Sequence, residues 1–180
     1  MRVIVTPTAL DGAPLDELKR WLSITTDRED GQLVDMMRAS LAAFEAFTGL
    51  MPLAQACTER LPASRLSLRA RTRPVRVLET VHLSGPGGAM LPVAADRYAE
   101  RIDADGTLHL RLLDAPDGDS IELAFTAGLT DRWDSLDPGI RQGIVRLAAH
   151  HYRVRDAGEE APAPPSSIAA LWRPWRQVRL

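Results

Sequence analysis

Glu122–Arg155 reads ELAFTAGLTDRWDSLDPGIRQGIVRLAAHHYRVR, and two different periods meet inside it. The first part belongs to a strand candidate, Ser120 to Thr126, in which apolar and polar residues alternate. After Gly128 the alternation stops. Asp137-Pro138 then opens a helix, Pro138 to about Arg155, whose stripe of Ile140, Ile144, Leu147, Ala148 and His151 repeats every three to four residues. A strand period running straight into a helical one predicts an α+β fold.

Toward the N-terminus the period of two persists from Met51 to Gly128. Leu53–Leu61, Leu66–Arg71, Val75–Leu83, Met90–Val93 and Thr107–Leu113 are further strand candidates. Pro62, Pro74, the Gly85-Pro86-Gly87-Gly88 run, Asp105-Gly106 and Asp117-Gly118 separate them. The two Asp-Gly pairs suit tight hairpin turns. Earlier still, Asp27–Thr48 is the longest helix, with Leu33, Met37, Leu41, Phe44 and Phe47 in register. Gly49 stops it, and Gly31 delays its start. Pro14–Ile24 is a short amphipathic helix with Leu15, Leu18 and Leu22 on one face and Trp21 beside them. Met1–Thr8 reads as a short extended arm. The expected plan is one α+β domain over residues 1–155: a small helical body (helices about 14–24, 27–48 and 138–155) with an antiparallel β-rich middle, 51–128.

Beyond it, residues 156–165 form a linker of mostly Ala, Glu, Gly and Pro, and 166–180 read SSIAALWRPWRQVRL. Trp172 and Trp175 lie here with Arg173, Arg176 and Arg179, and no acid accompanies them. Trp and Arg are the residue types enriched at binding hot spots. Ser166 or Ser167 is placed to cap a short helix holding Ile168, Leu171 and Trp172, and Pro174 then breaks it. The tail either folds back on its own domain, anchors on a membrane surface, binds a single strand or inserts into a partner's groove. A broken helix is a poor membrane anchor, two Trp and three Arg are generic for a single strand, and the groove fits best. Pro162, Pro164 and Pro165 stiffen the linker, which favours an extended arm held away from its own fold. Each indole buried in a partner contributes about 4–6 kcal/mol gross, before ordering costs.

Composition narrows the classes. The chain has 180 residues, 45% of them hydrophobic, and a formal net charge of −2, so nothing draws it globally to nucleic acid or anionic lipid. Lys19 is the only lysine, and the abundance of arginine is attributed to coding bias. Cys57 is the only cysteine and falls in a predicted strand, which excludes an intrachain disulfide and suits a buried thiol. No apolar run approaches the ~20 residues of a membrane span, and MRVIVTPTAL lacks the regions of a signal peptide; a soluble intracellular protein is expected.

No constellation carries catalysis, and no cofactor or metal is expected. His150 and His151 are adjacent on one helix and point about 100° apart, so they cannot chelate one ion as an i, i+4 pair does. Ser84-Gly85-Pro86-Gly87-Gly88 lacks the Lys and the following helix of a phosphate loop and reads as a hairpin loop. No Gly-x-Ser-x-Gly elbow occurs. Arg65, Arg69, Arg71, Arg73 and Arg76 form the densest basic stretch, with Arg69, Arg71 and Arg73 on one face if extended. A solvated or subunit-bridging edge is favoured there over nucleic-acid contact.

The order of these features resembles the head–tail connector (adaptor) proteins of tailed bacteriophages, most closely those of gene transfer agents. The segments that carry the resemblance are Pro14–Lys19 with Asp27–Gly49, then Glu122–Arg155, then Ile168–Leu180. The resemblance implies a structural, non-enzymatic protein in the neck of a virion or phage-like particle, assembled in the bacterial cytoplasm. It implies a homo-oligomeric, dodecameric ring beneath the portal protein, with stopper or tail proteins on the other face. DNA passes through that ring without specific binding, and no membrane is involved. Carried onto this chain, the portal-docking arm is Ile168, Leu171, Trp172, Arg173, Trp175, Arg176, Val178, Arg179 and Leu180. The alternative is a nucleic-acid-binding accessory protein using Arg65–Arg76 and the tail.

Overall fold

A computed structural model of the chain describes residues 1–63, 66–85, 88–116, 118–155 and 164–176. Two compact units divide it: a β-unit of residues 1–8 and 54–128, and a helical unit of 9–53 and 129–180. The β-rich middle is thus an insertion between the second and third helices, and the overall class is α+β.

In the helical unit, α1 (Ala13–Leu22) starts with Pro14 in its first turn and ends at Ser23, which adopts the left-handed conformation (φ 59°). α2 (Asp30–Thr48) ends at Gly49, whose φ of 77° lets its N–H donate to the Glu45 carbonyl at 2.7 Å, the C-terminal stop expected from sequence. Its start falls at Asp30 rather than Asp27. α3 (Pro138–Val154) is capped by Asp137, whose carboxylate accepts from the Gly139 N–H at 2.8 Å. α4 spans Ser166–Trp172, followed at once by a 3-10 turn, Arg173–Trp175. The predicted stripes converge as one core: Leu15 and Leu18 from α1, Leu33, Met37 and Phe44 from α2, and Ile140, Ile144, Leu147 and Ala148 from α3 are all buried. Trp21 departs from the expectation and is exposed.

The acidic start of the α2 region is spent inside this unit. Lys19 Nζ donates to Asp27 at 2.6 Å and Asp30 at 2.8 Å. Glu29 accepts from the Tyr152 hydroxyl at 2.6 Å and from Arg155 at 2.9 Å, tying the start of α2 to the end of α3. The Tyr152 hydroxyl, then the Arg155 guanidinium, hold the Glu29 carboxyl below its ordinary value of 4.5.

The β-unit holds two antiparallel sheets. The larger has the order β1-β2-β8-β4-β5, where β1 is Arg2–Thr6, β2 Gln55–Pro62, β4 Val75–Ser84, β5 Met90–Pro92 and β8 Ser120–Ala127. The central β8 buries Ile121, Leu123, Phe125 and Ala127 on one face, as its alternation predicts. Cys57 is buried on the neighbouring β2, and the supposed N-terminal arm is the edge strand β1, paired antiparallel with β2. The smaller sheet has the order β3-β7-β6, from Ser67–Arg69, Leu108–Leu112 and Tyr98–Ile102.

Asp105-Gly106 does turn a hairpin, between β6 and β7, with Gly106 at φ 76° packed closely on Pro74. β6 itself was not foreseen, because Tyr-Ala-Glu-Arg-Ile has no apolar alternation to read. The strands on either side of Asp117-Gly118, β7 and β8, lie in different sheets rather than pairing with each other. Asp117 falls outside the described residues. The Gly85–Gly88 run joins the antiparallel pair β4 and β5, the hairpin loop expected; Pro86 and Gly87 are not among the described residues.

A carboxylate is buried within this unit. Glu59, on β2, is 1% exposed. It accepts from the Arg71 and Thr72 backbone N–H groups and from the Thr72 hydroxyl, at 2.9 to 3.2 Å. A carboxylate out of water is tolerated only with such a full set of donors. It fixes the segment that leads from β3 into β4. Replacing Glu59 with Ala strands those donors, and chemical denaturation should report a loss of about 2–4 kcal/mol.

Candidate interaction surfaces

The C-terminal segment is the first surface to place. α4 begins directly after Pro165, whose carbonyl accepts from the N–H groups of Ile168 and Ala169 at 2.9 Å. Neither Ser166 nor Ser167 provides the side-chain cap that the sequence suggested. Ile168 and Trp172 recur four residues apart on one face of α4 and point into the helical unit's own core.

This corrects the extended-arm expectation for residues 166–176. Trp172 is 0% exposed. Its ring meets Phe44 edge-on at 5.3 Å between centroids and Phe47 at 6.2 Å, both on α2. Its Nε1–H donates to the Ile140 carbonyl at 3.4 Å. The physical reason is the surface of α3. A Cβ at Gly143 would overlap the Trp172 indole, and one at Gly139 would lie 3.3 Å from the Trp175 ring. Gly139 and Gly143, one turn apart, open a notch on α3 that takes the two tryptophans. Spacing of four between two glycines inside a predicted helix is the signal the sequence offers for this notch.

What remains on the outside is narrower than the whole arm. Arg173 and Arg176 are exposed, Leu171 and Trp175 half-buried, and the Arg176 guanidinium lies over the Phe47 ring at 5.3 Å. Residues 156–163 of the linker, and Val178, Arg179 and Leu180, lie outside the described residues.

The arginine stretch does not form the predicted single face. Arg69 and Arg71 are exposed, but Arg73 is buried with its guanidinium 3.4 Å from Asp105. Arg65 is outside the described residues. The register of the smaller sheet assembles a different basic face instead. Arg69 pairs with His109, which pairs with Arg101, and Arg111, two residues from His109 and so on the same face, sits between Ser67 and Ala99. Partners in register share a face, so three arginines and a histidine from three strands lie together. Asp103 offsets part of this charge, at 3.1 Å from Arg101 and 2.9 Å from His109.

No metal-type cluster of three or more His, Cys, Asp or Glu occurs among the described residues. His150 and His151 stand 6.2 Å apart between ring centroids, and burial, then His150, lowers the His151 pKa. No described helix is long and apolar enough to cross a membrane.

No protein-family model matches the sequence. No curated protein matches it either. Solved structures do. The chain is similar to a chain in the neck of an empty gene transfer agent particle with C6 symmetry, with a TM-score of 0.80 and 26% identity, over 100% of this chain and 97% of the other. It is similar to a chain of the virion of a native gene transfer agent particle, at TM-score 0.79, 28% identity, and the same coverage. A chain in the neck of the native particle with C12 symmetry matches at TM-score 0.74, 26% identity, over 99% and 97%. The resemblance read from the sequence therefore extends over the whole fold, including the β-rich middle where the sequence carried it least.

The notch makes two checks simple. Trp172→Ala should lose about 3–5 kcal/mol in denaturant unfolding, the cost of an emptied aromatic site. Gly143→Ala, although it adds only a methyl group, should also lose about 1–3 kcal/mol, because the indole has nowhere to move. On the acid side, Glu29 has a folded pKa below its unfolded one. Its contribution is present above about 4.5 and disappears as pH falls through the folded value. Tyr152→Phe should raise the Glu29 pKa in a carboxyl NMR titration.

Proposed function

We propose that this chain, which carries the fold of a gene transfer agent neck protein from end to end, is a structural adaptor that forms a ring under the portal and joins the DNA-filled head to the stopper or tail. The observation that carries the reading is the whole-length match to neck chains, at a TM-score of 0.80 over 100% of the chain. Those neighbours are structural components of virions, which supports a non-enzymatic role. Two of the matched assemblies have C6 and C12 symmetry, which supports ring assembly of many copies. On this reading the ring continues the channel through which DNA leaves and is built in the bacterial cytoplasm.

The portal-docking role divides along the arm. Ile168 and Trp172 form its root, held in the chain's own core, and Leu171 flanks them. Arg173, Trp175 and Arg176, followed by Val178, Arg179 and Leu180, form the part offered to the portal. A guanidinium fork pairs with carboxylates across an interface, and an indole fills an apolar pocket beside it. Weak arms of this kind, repeated around a ring, act together through avidity.

Two truncations separate docking from folding. A chain ending at Trp172 should keep that indole in the core, lower its thermal midpoint by only about 2–4 °C, and lose most of its co-purification with the portal. A chain ending at Pro165 should instead unfold at markedly lower temperature, because it takes Trp172 out of the core. Unchanged portal capture by the first variant refutes the docking role.

The basic face of Arg69, Arg101, Arg111 and His109 favours a second reading, in which the chain contacts a nucleic-acid backbone. That reading expects DNA affinity that falls steeply between 50 and 200 mM salt, roughly one counterion per neutralised phosphate. A gel-shift titration at the two salt concentrations decides it.

A further inference from the structure

Two apolar surfaces of the β-unit lie at opposite ends of its five-stranded sheet. At one end is β1, where Val3, Ile4 and Val5 are 49%, 37% and 60% exposed. Consecutive residues of a strand point to opposite faces, so this edge strand is apolar on both. Edge strands are ordinarily protected by charge or proline within them. Here Arg2 and Pro7 stand only at the margins, and one register shift interrupts the pairing between Ile4 and Thr6.

At the other end, the β4–β5 hairpin and residues 112–116 bound an open cleft of about 310 Å³, with Leu83, Leu91, Pro92, Val93, Leu112 and Pro116 in its walls. Leu91 is 53% exposed at its mouth. The cleft's two charged residues, Arg97 and Asp114, neutralise each other at 2.8 Å. Four strand spacings, about 19 Å at ~4.8 Å each, separate β1 from β5. The strand therefore cannot fill the cleft of its own chain.

We propose that β1 of one copy docks against the β5-side cleft of the next, and that this is the repeated head-to-tail joint of the ring. The inference rests on the neck reading, since the occupant is a second copy of this chain. A cyclic assembly above a dimer needs two different, mutually complementary patches on every subunit. Similar chains stand in assemblies with C6 and C12 symmetry, and this sheet carries one exposed apolar edge strand and one open apolar cleft at its two ends. Uncovered, the same strand is a site of uncontrolled edge pairing; covered by the neighbour's cleft, it is satisfied at each position around the ring.

The test is disulfide trapping in particles made by cells in which Val5→Cys/Leu91→Cys replaces the unsubstituted chain. Cys57 is buried and adds no background. After mild oxidation the double variant should give a ladder of covalent oligomers, and each single variant should give monomer only. Val3→Cys/Leu113→Cys reads the same joint if the first pair fails to incorporate, since both residues are exposed. Incorporation without a ladder from either pair overturns the joint and leaves the neck reading standing. Covalent dimers from Val5→Cys alone overturn it in favour of β1 pairing with itself. Absence of even the unsubstituted chain from purified particles removes the neck reading, and the joint with it.

Discussion

The burial of Trp172 against α3 is the contact on which the helical unit depends. One indole bridges three helices: it belongs to α4, stacks edge-on against Phe44 of α2 and rests where Gly143 leaves α3 bare. Neither half of this fit works without the other. A glycine in mid-helix costs stability relative to alanine, and it is tolerated here because the space it vacates is filled by the largest side chain available. α4 has only seven residues and could not hold its shape alone. Tertiary contact supplies what its length does not.

The elements legible in the sequence were those whose period is strong and whose ends are marked. α2, α3 and β8 follow their apolar spacing, and Gly49 and Asp137-Pro138 mark their ends by backbone geometry that other residues reach less easily. The misreadings share a cause as well. Each depends on which surfaces meet, and a local pattern does not say so. Asp117-Gly118 has the composition of a hairpin turn, but the strands it joins belong to different sheets. Arg73 sits in a run of arginines and is nevertheless buried against Asp105. Trp172 and Trp175 looked like ligands for a partner because their receptor, a pair of glycines, is visible only as missing side chains.

The basic face shows the same lesson from the other direction. Arg69, Arg101 and Arg111 are far apart in sequence and stand together only through the register of a three-stranded sheet. The chain's small net charge conceals this grouping, as it conceals the internal pairing of Asp27, Glu29 and Asp30. Electrostatics averaged over the molecule says little about any one of its surfaces.

The rooted indole has a mechanical corollary. Tension applied beyond Arg176 meets the Trp172 plug before it reaches residues 156–163, so the load passes sideways into α2 and α3. An arm fastened in this way behaves as a bolt rather than a tether. The segment yields only when its aromatic plug is drawn out of the core.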